Sequence, residues 1–534
     1  MKSTDESPYD AIVVGSGAAG SWAAKELTES GLRVVLLEAG RAVDPARDFP
    51  AEAPTGAIGM ASRAKAAVSG QFVQAQCAAF FETTKHFYVN DRQNPYTTTP
   101  GKRFLWYRGR QLGGRLHTWS RHVPRMSDNE FKSASLRGHG IDWPISYEDV
   151  APFYDIVEQT LGVHGAPSGI ASCPDGKFLG PAKTTQIEEK FKTNLENRMP
   201  NIRVTYGRTV RYDRERIPLP LRMALGTGNL EIRTDAVVRR LMIDPRTRKA
   251  VGVDYVDRST GAAQAVHGRV VVLCASAIES VRILLNSRTA THPAGVGNSS
   301  GHLGRYVCDH VAYAQSGSVA EHEIEPSPAE DGFDFAATGL YIPNFCDSAA
   351  VGFPGGYGIQ IGIGRGKPTW SMYALGEMQP RFDNRVSLDP RVTDAWGVPA
   401  ARIECSHSPD EVRMVGHMRS TIREIATAGG LPVENDHDLG RRSIALRLLR
   451  SRFFTDYGAY WPGAAVHESG GARMGEHPDN SVLNPYCQVW DADNVFVTDG
   501  ACFVSSGFQN HTLTMMALTV RACRFIAEGY LRLC

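Results

Sequence analysis

The hydrophobic pattern of this chain has α/β character at its start, its middle and its end. An apolar strand, Ala11 to Val14, precedes an amphipathic helix and a second strand, Arg33 to Leu37. Within Arg269 to Ser287 a buried strand again ends in small residues and leads into a helix. Near the end, a strand over Val495 to Val497 precedes a helix predicted from about Thr512 to Tyr530. These distant segments are predicted to form one α/β unit.

Between these blocks, apolar and polar residues alternate as in antiparallel strands. Asn229 to Asp257 reads as a small meander, and YGIQIGIG at 357–364 and NRVSLDP at 384–390 suit a separate antiparallel sheet. A helix is predicted around Asp410 to Ala428, and another begins after Ser146, which can cap it. This part of the chain is predicted to form a second layer on the substrate side.

The first strand, helix and second strand carry a dinucleotide fingerprint. Gly15 permits a tight turn, Gly17 lets backbone N–H groups approach a diphosphate, and Gly20 lets the helix pack closely on the strand. The helix N-terminus favours an anion. Glu38 is placed to accept hydrogen bonds from a ribose 2′-hydroxyl, which disfavours a 2′-phosphate. The pattern therefore predicts FAD or NAD rather than NADP.

Three further stretches carry candidate chemistry. The Gly113–Gly114 pair lies among basic and aromatic residues, where backbone can approach a flat ring, with His117 or Trp119 beside it. The small turn at 275–277 resembles another place where backbone approaches a nucleotide. His467 and Asn510 lie on the two loops that flank the 495–497 strand. Both can therefore reach the carboxyl end of that strand, where open α/β sheets bind ligands.

Composition and charge argue against several classes of partner and site. The 534 residues include 58 basic and 57 acidic ones, a formal net charge of +1, so nothing indicates nucleic acid or an anionic membrane as a partner. The ten cysteines are scattered singly without a CxxC pair, so neither a disulfide framework nor a metal site is indicated. No apolar run approaches the ~20 residues that cross a bilayer. We expect a soluble cytoplasmic protein; the Ala- and Gly-rich stretch 57–80 suits either a covering helix or a subunit contact.

With these residues in view, the chain resembles the glucose-methanol-choline (GMC) family of flavin oxidoreductases over most of its length. Within that family it is most similar to the branch of pyranose oxidases, glycoside 3-oxidases and gluconate-type dehydrogenases. The resemblance implies FAD as cofactor and a catalytic pair near the flavin N5, His467 and Asn510. It rests on these motifs in this order: GSGAAG, LEAGR, GRQLGGRLHTW, DWPISYEDVAPFYD, ASAIES, NSSGHLGRYVCDH, HESGGARMG and TDGACFVSSGFQNHTLTMMAL.

The fingerprint and the resemblance together give a set of candidate site residues. The substrate is expected to contact Gln360, His467 and Asn510. No metal ligand is assigned. The residues expected to contact the cofactor are Gly15, Gly17, Ala18, Ala19, Gly20, Glu38, Ala39, Arg41, Arg110, Gly113, Gly114, His117, Val237, Ala275, Asp499, Gly500, Asn510, His511 and Thr512.

The chain departs from the family pattern at three places. Tyr206 to Gly228 contains no cysteine, so the iron–sulfur insertion of many relatives is missing. His511 stands where proline usually follows the catalytic Asn, so the protonation partner could be shared or reassigned. His117 stands one position before the histidine that binds FAD covalently in some members. We therefore expect a non-covalent flavin.

The expected activity is oxidation of a secondary hydroxyl of a sugar or glycoside to a ketone. Hydride would pass to flavin N5, His467 would act as base, and oxygen or another acceptor would reoxidise the flavin. The alternatives are a sugar or polyol dehydrogenase with a non-oxygen acceptor, a flavin-binding protein without catalysis, and an NAD-dependent dehydrogenase. The sugar, the oxidised carbon and the oligomeric state are left open.

The fold class expected is α/β, α+β overall, with a Rossmann-like FAD-binding domain interleaved with an antiparallel-sheet substrate domain, as in the GMC fold. The predicted division is 9–45, 100–125, 225–310 and 460–534 for the FAD domain, 126–224 and 311–459 for the substrate domain, and 46–99 for a connecting and covering segment.

Overall fold

The computed structural model describes residues 8–49, 59–138, 140–181, 183–211, 215–326, 339–343, 345, 352–433 and 452–531. Its strands are β1 (Tyr9–Val14), β2 (Val34–Leu37), β3 (Thr97–Thr98), β4 (Val163–His164), β5 (Thr205–Tyr206), β6 (Thr209–Val210), β7 (Leu230–Arg233), β8 (Ala236–Ile243), β9 (Ala250–Asp257), β10 (Ala263–Leu273), β11 (His310–Ser318), β12 (Leu340–Ile342), β13 (Tyr357–Ile363), β14 (Thr369–Glu377), β15 (Arg385–Thr393), β16 (Pro399–Glu404) and β17 (Val495–Val497). Its α-helices are α1 (Ala18–Glu29), α2 (Pro45–Asp48), α3 (Met60–Ala66), α4 (Asp128–Phe131), α5 (Ser133–Arg137), α6 (Tyr147–Leu161), α7 (Gln186–Arg198), α8 (Leu219–Gly226), α9 (Ala277–Asn286), α10 (Pro409–Gly429) and α11 (Thr512–Leu531).

One seven-stranded sheet joins the start, the middle and the end of the chain. Its order is β7-β2-β1-β10-β9-β8, with β17 also paired to β10. β1 runs parallel to β2 and to β10, and β17 runs parallel to β10. Every residue of β2 and β17 is buried, as expected of parallel strands covered on both faces. The α/β unit predicted from distant segments is therefore present.

The predicted meander over Asn229 to Asp257 is divided between two parts of this sheet. β7 pairs in parallel with β2, at the opposite edge from β8 and β9. Leu230 and Ile232 pack against the apolar cluster under that edge, which explains the separation. β10 serves both parts, because its first residues pair antiparallel with β9 and its last residues pair parallel with β1.

Helices α8 and α11 both pack against α1. Leu221 and Ala224 of α8 are fully buried in the same apolar cluster as Ala23 and Leu27 of α1. α8 therefore packs with the first sheet, although the predicted boundary at residue 224 places most of this helix in the other predicted domain. The predicted division into two domains stays a prediction.

A second sheet, of order β11-β14-β13-β12-β5, forms the other layer. Tyr341 lies opposite Gln360, Gln360 opposite Tyr373, and Tyr373 opposite Ala314. Residues directly opposite each other share a face of an antiparallel sheet, so these four side chains form one row. α10, which begins after the Ser408 capping box, packs behind the sheet on β11 and β14. The row around Gln360 faces the candidate site.

The predicted strand at 384–390 is β15, but it belongs to a separate three-stranded sheet with β16 and β3. In the described part of the chain, no helix is long and apolar enough to cross a membrane. The eight cysteines within that part are all free and buried.

Candidate active site

The loop after β1 is built by close backbone contacts. Gly15 has φ +98°, and a Cβ there would lie 2.4 Å from the Cys274 carbonyl oxygen at the end of β10. A Cβ on Gly20 would lie 1.8 Å from the Gly15 carbonyl oxygen, so α1 can approach the loop only without a side chain there. Gly17 is different, because a Cβ there would have no atom within 4 Å. The space in front of Gly17 is open.

Glu38 stands at the carboxyl end of β2 beside this loop. Its carboxylate accepts hydrogen bonds from the backbone N–H of Ser16 at 3.1 Å and of Gly40 at 2.7 Å. Burial raises the pKa of Glu38, and these hydrogen bonds oppose that rise. The Gly113–Gly114 pair lies against the same loop, since the Gly113 N–H donates to Ser16 Oγ at 2.9 Å. The two glycine motifs, far apart in sequence, therefore meet.

The N-terminus of α1 fits the diphosphate of FAD. Gly17 gives no side-chain cap, and the first turn holds no acidic residue. The N–H groups of that turn are thus free of a competing carboxylate, and the open space at Gly17 admits a phosphate. Nine of the predicted cofactor residues keep accessible surface, namely Gly15, Gly17, Ala18, Ala39, Arg41, Arg110, Gly114, Ala275 and Thr512.

Arg41 and Arg110 line a cavity of about 300 Å³ that Tyr88 and Trp396 also border. Arg110 Nη2 donates to Glu279 at 2.8 Å, whereas Arg110 Nη1 is buried without a hydrogen-bond partner. A buried guanidinium N–H without an acceptor is costly. The unpaired Arg110 Nη1 therefore fits a ligand that brings oxygen acceptors to this cavity.

Three other predicted cofactor residues, Ala19, Gly20 and Val237, are buried. Ala19 and Gly20 lie in α1. Val237 follows Ala236, whose N–H donates to the Glu38 carbonyl at 2.9 Å.

Asp499 follows β17 and caps the turn that starts at Gly500. Its Oδ1 accepts the Ala501 N–H at 2.9 Å, and its other oxygen accepts the Ser280 hydroxyl of α9. Burial raises the pKa of Asp499 to about 6. Asp499 therefore ties the carboxyl end of β17 to α9, next to Ala275.

The His117 ring packs against Gly113, where an added Cβ would lie 2.6 Å from His117 Nε2. Its ring stacks on Phe87 with centroids 5.1 Å apart and lies near Phe49, and its Nε2 lies 2.8 Å from the Leu112 carbonyl oxygen. Burial lowers its pKa. Trp119, the other residue expected beside a flat ring, keeps accessible surface.

His467 and Asn510 meet at the carboxyl end of β17. His467 Nε2 and Asn510 Nδ2 are 3.5 Å apart. Gln360 Nε2 donates to Asn510 Oδ1 at 2.8 Å, which turns the amide nitrogen of Asn510 toward His467. Gln360, predicted to bind substrate, therefore orients Asn510 in this structure.

Two further imidazoles surround His467. Its ring centroid lies 4.9 Å from that of His310 and 5.2 Å from that of His511. Desolvation, followed by the charges that His310 and His511 would carry, holds the pKa of His467 well below its usual range. His511 Nε2 lies 2.5 Å from the Ser506 carbonyl oxygen, so the backbone holds its ring. A neutral His467 imidazole can accept a proton at Nε2.

Sequence reasoning missed the groups that hold the His467 loop. Asp309 accepts the N–H of Ala465 and of His467, each at 3.0 Å. Arg115 Nη1 donates to the Val466 carbonyl at 3.1 Å. Burial and the neighbouring Glu468 raise the pKa of Asp309 to about 7, and backbone N–H groups oppose this rise. Asp309 lies inside the NSSGHLGRYVCDH motif, which was the available signal.

Comparisons with known proteins show the family and the fold of this chain. The model of the GMC oxidoreductase family matches residues 9–312 and 380–519. A 2-methyl-1,2-propanediol dehydrogenase from Mycolicibacterium austroafricanum is 26% identical over 591 residues, 99% of this chain and 96% of that protein. A C-glycoside 3-oxidase from Arthrobacter globiformis is 26% identical over 312 residues, 55% of this chain and 52% of that protein. The crystal structure of pyridoxine 4-oxidase from Mesorbium loti has the same fold, with TM-score 0.63, 18% identity, and coverage of 97% and 99% of the two chains.

Proposed function

The chain belongs to the GMC oxidoreductase family and is an FAD-dependent alcohol oxidoreductase, and from that premise we propose that it oxidises a secondary hydroxyl of a sugar or glycoside to a ketone. In this proposal His467 is the base and Asn510 positions the alcohol. The observation that carries it is the pair itself, with Asn510 Nδ2 held 3.5 Å from His467 Nε2 by Gln360.

Each residue of the pair has a separate task. Bound FAD supplies the acceptor for the hydride. His467 takes the hydroxyl proton at Nε2, which is available because burial and two neighbouring imidazoles keep the ring neutral. Asn510 cannot titrate, but its Nδ2 donates a hydrogen bond to the alcohol oxygen and fixes its direction. The pair therefore needs no metal to remove the proton.

The row on the second sheet forms the side of the site that faces Asn510. Tyr341, Gln360 and Tyr373 share the face that reaches Asn510. Tyr341 Oη donates to Gln509 Oε1 at 2.7 Å, and Tyr373 keeps accessible surface. Tyr341 and Gln360 are buried and already paired, so in this row it is the Tyr373 phenol that can hydrogen-bond a hydroxyl of the substrate.

An anaerobic titration tests the substrate class. We expect glucose or an aryl glucoside to bleach the flavin absorbance without any nicotinamide. Admitting oxygen or a dye then identifies the acceptor, because an oxidase produces peroxide at a rate matching flavin reduction. If neither sugar reduces the flavin and a simple diol does, the alcohol chemistry stands and the sugar assignment fails.

Gln360→Glu tests the orientation of Asn510. A carboxylate cannot donate to Asn510 Oδ1, so the amide is expected to turn and present oxygen toward His467. Misplacing one positioning group can cost on the order of a hundredfold, so we expect flavin reduction to slow by about tenfold to a hundredfold. Tyr341→Phe is the matched control, because it removes the neighbouring bond to Gln509 and leaves Gln360 in place. Equal rates in parent and Gln360→Glu would contradict this role.

The flavin is expected to leave the protein on acid precipitation. His117 is buried against Phe87, and its Nε2 is already engaged by the Leu112 carbonyl oxygen at 2.8 Å. Yellow colour should therefore appear in the supernatant and none in the washed pellet. Flavin fluorescence that stays with the denatured chain on a gel would show a covalent bond.

A further inference from the structure

Val466, the residue before the proposed base, has an unusual backbone. Its φ is +59°, in the left-handed region. A β-branched side chain there is strained, and such strain persists only when the surroundings hold it. Its side chain is partly exposed, so packing alone does not hold it.

The surroundings of Val466 bond the backbone on each side. Asp309 Oδ2 accepts the N–H of Ala465 and Asp309 Oδ1 accepts the N–H of His467, each at 3.0 Å. Arg115 Nη1 donates to the Val466 carbonyl at 3.1 Å, and Arg115 is itself paired with Glu468 at 2.8 Å. One carboxylate thus spans the strained residue while a guanidinium holds its carbonyl. We call these contacts the Val466 clamp.

We propose that Asp309 is a positioning residue, which holds Val466 in the left-handed region and thereby aims His467 at Asn510. This inference rests on the proposed function, because its consequence for the rate requires His467 as base. If Val466 relaxed to negative φ, the direction of the His467 Cα–Cβ bond would change. His467 Nε2 would then leave its place 3.5 Å from Asn510 Nδ2.

Asp309→Asn weakens the clamp without changing side-chain size. An amide keeps one acceptor oxygen, but its NH₂ faces the second backbone N–H. At pH 8, above the pKa of Asp309 of about 7, we expect the limiting rate of flavin reduction in the holoenzyme to fall by about tenfold to a hundredfold. The substrate concentration at half-maximal rate should change little, because the row around Gln360 is untouched.

Three variant backgrounds distinguish a positioning role of Asp309 from general damage to the fold. Val466→Gly removes the strain, whereas Val466→Ala removes the same branched methyls and keeps a Cβ, so it remains strained. Asp309→Asn should therefore cost less in the Val466→Gly background than in Val466→Ala. In a His467→Ala background it should cost nothing further, because the clamp acts through His467. Equal losses in all three backgrounds would overturn the proposal.

The thermal unfolding midpoints of the same variants test the Val466 clamp without any substrate. Asp309→Asn should lower the midpoint more in the Val466→Ala protein than in Val466→Gly, since only the former needs the clamp. Equal shifts mean that no clamp exists. If the midpoints differ as expected but no alcohol reduces the parent flavin, the clamp stands and the proposed function fails.

Discussion

Replacing His467 with alanine is expected to slow reduction of the bound flavin by about two to four powers of ten, the usual contribution of a general base. His467 Nε2 is 3.5 Å from Asn510 Nδ2. The backbone N–H of His467 donates a hydrogen bond to Asp309. The ring is not part of the glycine loop, so FAD should remain bound. The loss should therefore fall on the limiting rate, with the visible flavin spectrum retained.

His511→Ala is the matched control for this experiment. The His511 ring centroid lies 5.2 Å from that of His467, but its Nε2 is engaged by the Ser506 carbonyl. Stopped-flow reduction with glucose and an aryl glucoside would compare both variants with Asn510→Ala, which should lose less than His467→Ala if it only positions. A fast His467→Ala with an inactive His511→Ala would move the base to position 511.

Elements set by local pattern could be predicted from the sequence. The predicted strand at 495–497 is β17, and the helix expected around 410–428 is α10, Pro409–Gly429. Both have an apolar period and clear ends, which the chain encodes within a few residues. The dinucleotide fingerprint also allowed part of the first sheet to be predicted, because its strands, glycines and acidic residue must lie in one βαβ unit.

Features that depend on distant partners could not be predicted in this way. β7 joins β2 rather than β8, because Leu230 and Ile232 find an apolar surface that only the folded sheet offers. No residue near His117 in the sequence indicates that its ring stacks on Phe87. The left-handed Val466 likewise depends on Asp309, which lies immediately before β11, far away in sequence. In each case, contacts between residues that are distant in sequence determine the structure, and local sequence preference does not.

Gly20→Ala is expected to disrupt folding, whereas Gly17→Ala is expected to fold normally and to weaken FAD binding. Alanine at position 20 would gain roughly 0.5–1 kcal/mol of helix propensity. Its Cβ would, however, lie 1.8 Å from the Gly15 carbonyl oxygen, a backbone clash that far exceeds that gain. Gly17 has φ −70° and ψ −156°, which alanine also adopts, and no atom lies within 4 Å of its Cβ. Gly17→Ala should therefore fold as the parent does.

The added methyl at position 17 would instead occupy the space proposed for the diphosphate. Overpacking of this kind costs about 1–3 kcal/mol, which corresponds to FAD binding weaker by about tenfold to a hundredfold. Far-UV circular dichroism and thermal unfolding of the apoproteins would show Gly17→Ala intact and Gly20→Ala misfolded. The ratio of flavin to protein absorbance, followed by FAD titration, would show the weakened binding. If Gly17→Ala binds FAD as tightly as the parent, the diphosphate does not cross Gly17, and the N-terminus of α1 is not its site.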